Sequence, residues 1–207
     1  KYETDFTFVY KYKVHMKVLV TGGLGFIGSH TVVELQNEGF EVVIIDNLSN
    51  SSEEVLKGIV AISGKTPLFE KMDLRDKASV QSFFKKHNDV AGVIHFAASK
   101  AVGESVENPL LYYENNINAL VYILQELQQK TEANFIFSSS CTVYGQAEKM
   151  PITEDASVQV AMSPYGNTKQ IGEEIITDVA KVTNVDVNEA DVPTPDKEPV
   201  DAYLLSA

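Results

Sequence analysis

The 207 residues are 44% apolar and 22% charged, the composition of a globular domain large enough to bury a core. A formal net charge of -12 argues against a nucleic-acid surface, and no apolar run is long enough to span a membrane, so neither is an expected partner. Cys141 is the single cysteine, which leaves no internal disulfide or cysteine zinc cluster and fits a reducing, cytoplasmic setting.

In chain order, residues 1–15 precede Met16, which reads as a natural start, and lack the continuous apolar core of a signal peptide; they are expected to be an appended arm. Val18 to His30, VLVTGGLGFIGSH, sets a short apolar strand against a glycine-spaced turn and the start of a helix. Gly22 lets the chain turn sharply, Gly25 lets backbone approach a pyrophosphate, and Gly28 lets the helix pack close to the sheet. The helix's first N–H groups and its dipole attract the anion. A tight connection without a ligand is the alternative.

The helical segment carries Ile27, Thr31, Val32 and Leu35 on one face and stops at Gly39 as a C-cap would have it. EVVIID, Glu41 to Asp46, is then a second strand ending in an acid, at the separation from the glycines where a carboxylate accepts hydrogen bonds from the adenosine ribose. That favours NAD over a 2′-phosphorylated cofactor. The alternative is an N-cap for a helix starting near Ser51, a job for which Asn47, Ser49 and Ser51 compete.

Pro67–Asp73, Val90–Phe96 and Asn134–Ser139 read as further strands, each apolar enough to be buried on both faces. Between them the clearest helix is Leu110–Gln129, with Ile117, Leu120, Val121, Leu124 and Leu127 at helical spacing after Pro109. The alternation predicts an α/β fold, a Rossmann-type doubly wound parallel sheet with ligands at the strands' carboxyl ends. Asp46, Asp73, Phe96 to Lys100 and Ser138 to Ser140 fall there. The histidines, His15, His30, His87 and His95, show no ligand spacing and read as surface or core residues, so no metal is expected.

Chemistry enters with Ser138-Ser139-Ser140 and the later P-Y-G-N-T-K. Tyr165 and Lys169, four apart on a helix that Pro164 opens, share a face, so the lysine charge favours a phenolate able to take a proton. A serine hydroxyl could share the substrate's proton. For Ser140 the alternative is a hydrogen bond at a strand end, and for Lys100 a solvated surface lysine.

These residues resemble the extended short-chain dehydrogenase/reductases, T-G-x-x-G-x-x-G with Tyr-x-x-x-Lys. VTGGLGFIGSHTVVEL, DNLSNS, VIHFAASKAVGESVENPLLYYENN, FIFSSSCTVYG and SPYGNTK are similar to the UDP-glucose 4-epimerase family within them, from Met16 to about Thr183. By that resemblance Phe26, Ile27, Asp46, Asn47, Leu48, Ser49, Asn50, Ser51, Asp73, Leu74, Phe96, Ala97, Lys100 and Asn115 line the NAD site together with the glycines. Ser140, Tyr165 and Lys169 are catalytic and also touch the cofactor, while Lys100, Ser140, Thr142 and Tyr165 meet the UDP-sugar substrate. The implied reaction oxidises the sugar's 4-hydroxyl and reduces the ketone from its opposite face, interconverting UDP-glucose and UDP-galactose. Dimerisation through helices is usual in the family, so a homodimer is expected.

Three departures stand out. FAASK replaces the family's F-A-G-L-K, Cys141 follows the serine triplet where alanine is common, and no R-Y-F-N-P strand follows the Tyr165 helix. From Asn184 the chain has three of its seven prolines and six acids against one lysine, with a short strand at Val185 to Val187 as its only periodicity. The expected organisation is therefore an arm at 1–15, a Rossmann domain at 16–183 and a poorly ordered acidic tail at 184–207, with the C-terminal substrate domain missing. Impaired turnover is the expected consequence. A truncated, non-catalytic NAD-binding module is the alternative, with a sugar-nucleotide dehydratase third.

Overall fold

The computed structural model describes residues 16–130, 133–146, 150–153 and 156–182, and the backbone of 185–187. The arm expected at 1–15, His15, and all of the tail at 184–207 except 185–187 lie outside the described residues. Along the chain come β1 (Lys17–Thr21), α1 (Phe26–Asn37), β2 (Glu41–Asp46), α2 (Glu54–Ser63), β3 (Leu68–Lys71), α3 (Lys77–Lys86) and β4 (Val90–His95). Then follow α4 (Val102–Glu107), α5 (Pro109–Leu127), β5 (Ala133–Phe137), a 3-10 turn at Cys141–Tyr144, α6 (Pro164–Val182) and β6 (Val185–Val187).

The described chain divides into two compact units. One takes in the residues up to Asp73 together with Lys86–Ala97, the other Leu74–Lys85 and the residues from Ala98 on. In the first unit, β1 pairs in parallel with β2 and with β4, and β2 with β3, giving the order β3-β2-β1-β4. The chain thus steps outward from β1 to β3 and returns on the far side of β1 as β4. The reversal places the topological switch point at the carboxyl ends of β1 and β4, where doubly wound sheets bind ligands.

Leu19, Val20, Val43 and Ile44 are fully buried, each contributing about 2 kcal/mol by leaving water. The burial on both faces expected of the third and fourth strands holds for β4 but fails for β3, whose Leu68 is exposed because, among the described residues, β3 pairs in this unit with β2 alone and forms an edge. α1 ends as expected: Gly39 adopts φ +90°, its N–H reaches the Gln36 carbonyl and that of Phe40 the Leu35 carbonyl, a Schellman cap. Its buried face is Gly28, Val32, Val33 and Gln36, with Ile27 exposed and Thr31 half-buried. Gln36 tolerates burial because its amide oxygen accepts the Ser63 hydroxyl of α2 at 2.8 Å. α2 itself starts at Glu54, past Asn47, Ser49 and Ser51, and Ser52 Oγ accepts the Glu54 N–H at 3.2 Å.

In the second unit, α5 and α6 pack together. Gly172 allows α6 to sit tight against β5 and α5, since a Cβ there would lie 2.7 Å from the Phe137 ring and 3.4 Å from Leu120. The core side of α5 is Tyr112, Asn116, Ala119, Leu120, Ile123, Leu124 and Leu127. Ile117 and Val121 are only half-buried, because the buried stripe centres on Ile123. β5 likewise is not covered throughout, Asn134 being exposed. β6 runs parallel to β5, Ala133 opposite Val185 and Phe135 opposite Val187, where the sequence suggested a short strand.

Candidate functional site

The glycine turn is built by contacts no other residue permits. Gly22 adopts φ +65°, and a Cβ on it would lie 2.9 Å from the Ala97 nitrogen. A Cβ on Gly28 would lie 2.3 Å from the Gly22 carbonyl oxygen and 2.8 Å from the Gly23 Cα. Gly28 is therefore required by the turn itself, not by the packing of α1 on the sheet as its spacing suggested. Gly25 is the N-cap of α1 and no side chain caps the first turn. The turn thus offers backbone N–H groups and a positive helix end to an anion, a fit to a dinucleotide's pyrophosphate.

Asp46, the last residue of β2, is buried. Its carboxylate accepts the Leu24 N–H at 3.1 Å, the Leu48 N–H at 2.9 Å and the Ser51 hydroxyl at 2.7 Å. It thereby ties the glycine turn to the Asn47–Ser51 loop, where Leu48 takes φ 63° and Asn47 accepts the Ser49 N–H at 3.0 Å. Asn47 donates to Asp73 at 3.4 Å. Asp46 caps no helix, which removes the bland reading of that acid. Ser49 and Asn50 are exposed, as are Phe26 and Ile27. Phe96 and Ala97 follow β4 directly, with the Phe96 N–H bonded to the Thr21 carbonyl. All of these sequence-selected residues belong to the first unit.

The second unit gathers Ser140, Thr142, Tyr165 and Lys169. Ser140 ends the stretch after β5 and caps the 3-10 turn, so its bland role is real: its oxygen accepts the Thr142 N–H at 3.3 Å and the Thr142 hydroxyl at 3.0 Å. With both lone pairs engaged, the capacity left on Ser140 is its O–H proton. A Cβ on Gly166 would lie 3.3 Å from Thr142, so the start of α6 packs on that turn. Lys169 is 4% exposed. Its ammonium donates to the Ser138 carbonyl at 2.7 Å and sits 4.7 Å from the Phe137 ring centroid and 5.9 Å from that of Tyr165. Burial pulls the Lys169 pKa down to about 8, against the opposing charge of Glu173 one turn further along. Lys100 is exposed, Asn115 is half-buried and donates to Ser99 Oγ at 3.1 Å, and Leu74 is a buried apolar residue.

Several polar residues here carried no sequence signal. Thr21 Oγ1 and His95 Nδ1 lie 2.8 Å apart, both buried, and the Ala97 N–H reaches the same threonine oxygen at 3.3 Å. His95 is thus a core residue, as is His87, while His30 lies on the surface. Tyr112, fully buried, donates to Glu104 at 2.6 Å, accepts the Ala101 N–H at 3.0 Å and meets the Tyr165 ring edge-on at 6.5 Å. Desolvation and the Glu104 carboxylate push its phenol up to about 12, keeping it a neutral donor. Ser139 donates to Glu173. No helix of the described residues is long and apolar enough to cross a membrane.

Comparison with known proteins adds the following. The family model described as GDP-mannose 4,6 dehydratase matches residues 19–190. A UDP-glucose 4-epimerase of Haemophilus influenzae is 49% identical over 166 residues, 80% of this chain and 49% of that protein. Among solved structures, a UDP-glucose 4-epimerase from Stenotrophomonas maltophila with bound NAD and formylated UDP-arabinopyranose aligns with a TM-score of 0.78 at 42% identity, covering 84% of this chain and 51% of that one. One from Bifidobacterium longum in complex with NAD+ and UDP gives 0.79 at 40% identity, over 83% and 51%. The chain spans about half the length of the curated relatives it matches, and the matched half holds the Rossmann-type α/β fold. With the family model covering most of its length, the chain belongs to the GDP-mannose 4,6 dehydratase family.

Proposed function

We propose that this chain carries the NAD-binding and proton-transferring part of a UDP-glucose 4-epimerase, an isomerase of galactose metabolism acting on UDP-sugars. The observation that carries this reading is Lys169: an ammonium buried beside Tyr165 and pinned by the Ser138 carbonyl is costly for stability and useful for proton transfer. In the first unit, Gly22, Gly25 and Gly28 with the start of α1 would hold the pyrophosphate, and Asp46 would take the ribose hydroxyls in exchange for its Ser51 bond. When bound, NAD+ supplies a reversible hydride acceptor for the sugar's C4.

The chain's own residues handle the proton. Tyr165 as phenolate takes it from the 4-hydroxyl, the Ser140 O–H donates to the same sugar oxygen, and Lys169 stabilises the phenolate charge. Once the 4-keto sugar presents its other face, hydride would return to C4 from that side as Tyr165 returns the proton to the oxygen, so that the C4–H bond re-forms with inverted configuration. Thr142 beside Ser140 and Lys100 on its exposed segment would contact the UDP-sugar. We place the chain in the cytoplasm, in keeping with a single unpaired cysteine. A homodimer would cover the apolar side of α5 and α6, where Leu110, Ile117 and Ile171 line a shallow hollow.

An NAD-binding module without turnover is the second reading, because the glycine turn and Asp46 that would hold the cofactor lie in one compact unit apart from the Tyr165–Lys169 cluster of the other. The dehydratase reading is not favoured, since the relatives at 45–49% identity are epimerases. Isothermal titration with NAD(H) and a coupled assay of UDP-galactose conversion separate the readings. The purified chain is expected to bind NAD(H) and to epimerise poorly. Tyr165→Phe should remove that residual turnover by about 10²- to 10⁴-fold while sparing NAD binding; unchanged turnover would remove Tyr165 from the mechanism. Binding without any turnover in the unmodified chain favours the module.

A further inference from the structure

The 3-10 turn that carries Ser140 and Thr142 is tied to α6 at both ends. Before the turn, Lys169 donates to the Ser138 carbonyl and Ser139 to Glu173. Its far end is held by Gln170, half-buried on α6, whose amide nitrogen donates to the Val143 carbonyl at 2.7 Å and to the Gln159 carbonyl. The two protons of one amide thus go to two separate segments. Val143 is buried at the end of the turn, where a helix leaves its carbonyls without internal partners.

Gln159 belongs to the segment 156–163, which leads into α6 and is not anchored by its apolar side chains: Val158, Val160 and Met162 are all exposed. Backbone contacts place it instead. Gly145, at φ +55°, closes the turn against this segment, since a Cβ there would lie 2.6 Å from the Val160 carbonyl oxygen. The segment ends at the buried Ser163, whose hydroxyl accepts the Gly166 N–H at 3.1 Å and whose carbonyl accepts the Asn167 N–H at 2.9 Å, closing the helical turn that bears Tyr165. We infer that Gln170 is a positioning residue: its amide holds the turn bearing Ser140 and Thr142, and the segment entering Tyr165, at fixed places on the helix that carries Tyr165 and Lys169. This inference rests on the function proposed above. Because both lone pairs of Ser140 are spent inside the turn, its O–H moves with the turn as one body. The Gln170 bond therefore helps to set the separation of that hydroxyl from Tyr165, and two groups that must meet one sugar oxygen depend on such a separation. A residue needed only to cover α6 would be apolar or charged at this place and would leave the Val143 carbonyl without this donor.

The test uses the full chain with NAD+ and reads hydrogen–deuterium exchange of selected amides beside UDP-galactose turnover. Val143 and Gly145 report the 3-10 turn, and Gly166 and Asn167 the entry to α6. Gln170→Glu keeps the shape and sets a carboxylate against two carbonyls. Gln170→Leu keeps the bulk, removes both donors and suits a half-buried helix position, so it stays informative should Gln170→Glu fail to fold. In Gln170→Leu, exchange at all of these amides should rise about tenfold while α5 exchange stays put, as losing one such hydrogen bond implies. kcat, counted per NAD+-binding site so that unfolded protein does not enter, should fall about tenfold with KM within about threefold. Unchanged exchange at the turn or at the entry to α6, or a kcat per site within about twofold of the unmodified chain, would overturn the inference. If the unmodified chain binds NAD+ but turns nothing over, the functional reading fails on its own, and the exchange data still decide whether Gln170 holds the turn and the entry segment.

Discussion

At the glycine turn of the first unit, backbone meets backbone: the space a Cβ would need on Gly28 is filled by the Gly22 carbonyl oxygen, 2.3 Å away. At the Tyr165–Lys169 cluster of the second unit, side chains are held by side chains and by single carbonyls, through Ser138, Thr168 and Asn116. The first kind of site is rigid because nothing else fits. The second is rigid because its polar groups are paired, and pairing can be undone one bond at a time. Substitutions in the turn should therefore act almost all-or-none, whereas those in the cluster should be graded and separable into stability and activity.

The largest effect is expected at Gly28→Ala. Neither the Gly22 oxygen nor the Gly23 Cα belongs to a side chain that can swing aside, so the turn must open. Overpacking typically costs about 1 to 3 kcal/mol; with backbone as the obstacle the cost here should lie at the upper end of that range, and NAD(H) binding should be lost. Gly25→Ala, whose Cβ would lie 3.2 Å from the same Gly22 oxygen, should be markedly milder. Calorimetric unfolding with an NAD(H) titration checks both. A Gly28→Ala protein that melts and binds like the unmodified chain would show that the turn relaxes, and the contrast with the cluster would collapse.

The same difference explains what the sequence could disclose. A site shaped by backbone is written locally, as glycines at fixed spacing followed by EVVIID, and Gly22, Gly25, Gly28 and Asp46 are legible from thirty residues of text. At Gly28 the expected contact was the sheet and the observed one is the Gly22 carbonyl oxygen, because spacing reveals that a side chain is forbidden and not what forbids it. The cluster is written across long separations: Lys169 finds Ser138 31 residues back, and Asn116 finds Ser99 and Thr168 17 and 52 residues away. No window contains such pairs. Tyr165 and Lys169 stood out only because a helix brings residues four apart onto one face, and Ser140 because of its neighbours in the triplet. The exposed edge of β3 escaped for a related reason: Leu68 and Phe69 look like any buried strand until it is known that, among the described residues, β3 pairs with β2 alone.

Lys169→Met tests the graded side. Burial lowers this lysine from its ordinary 10.5 to about 8, so between those values the unfolded chain holds a proton that the folded one has released, and stability rises with pH across that window. Below about pH 8 the fold instead carries the cost of a buried ammonium, about 3 kcal/mol for a shift of this size before the Ser138 bond is lost with it. Lys169→Met should therefore be more stable than the unmodified chain at neutral pH, by about 1 to 3 kcal/mol, with a flat profile between pH 8 and 10.5, and should have lost whatever turnover the chain has. Denaturant unfolding at neutral and alkaline pH reads this directly. Equal pH slopes in the two proteins would mean that Lys169 is solvated in the fold, and the cluster would lose its main claim to being costly and functional at once.

The smallest effect sharpens what a glycine means in the first unit. Gly58 lies inside α2, is exposed, and a Cβ on it would meet nothing within 4 Å. It serves no close approach and no left-handed turn, so it only weakens the helix by leaving the unfolded chain more freedom. Gly58→Ala should raise stability by about 0.5 to 1 kcal/mol, seen as a slightly higher denaturant midpoint with an unchanged slope and unchanged NAD(H) affinity. Set beside Gly28→Ala, the same added methyl should then act in opposite directions at two glycines thirty residues apart. A destabilised Gly58→Ala would mean that α2 needs its glycine for a reason other than the space around it, and Cβ clearance would no longer distinguish the site-forming glycines from the dispensable ones.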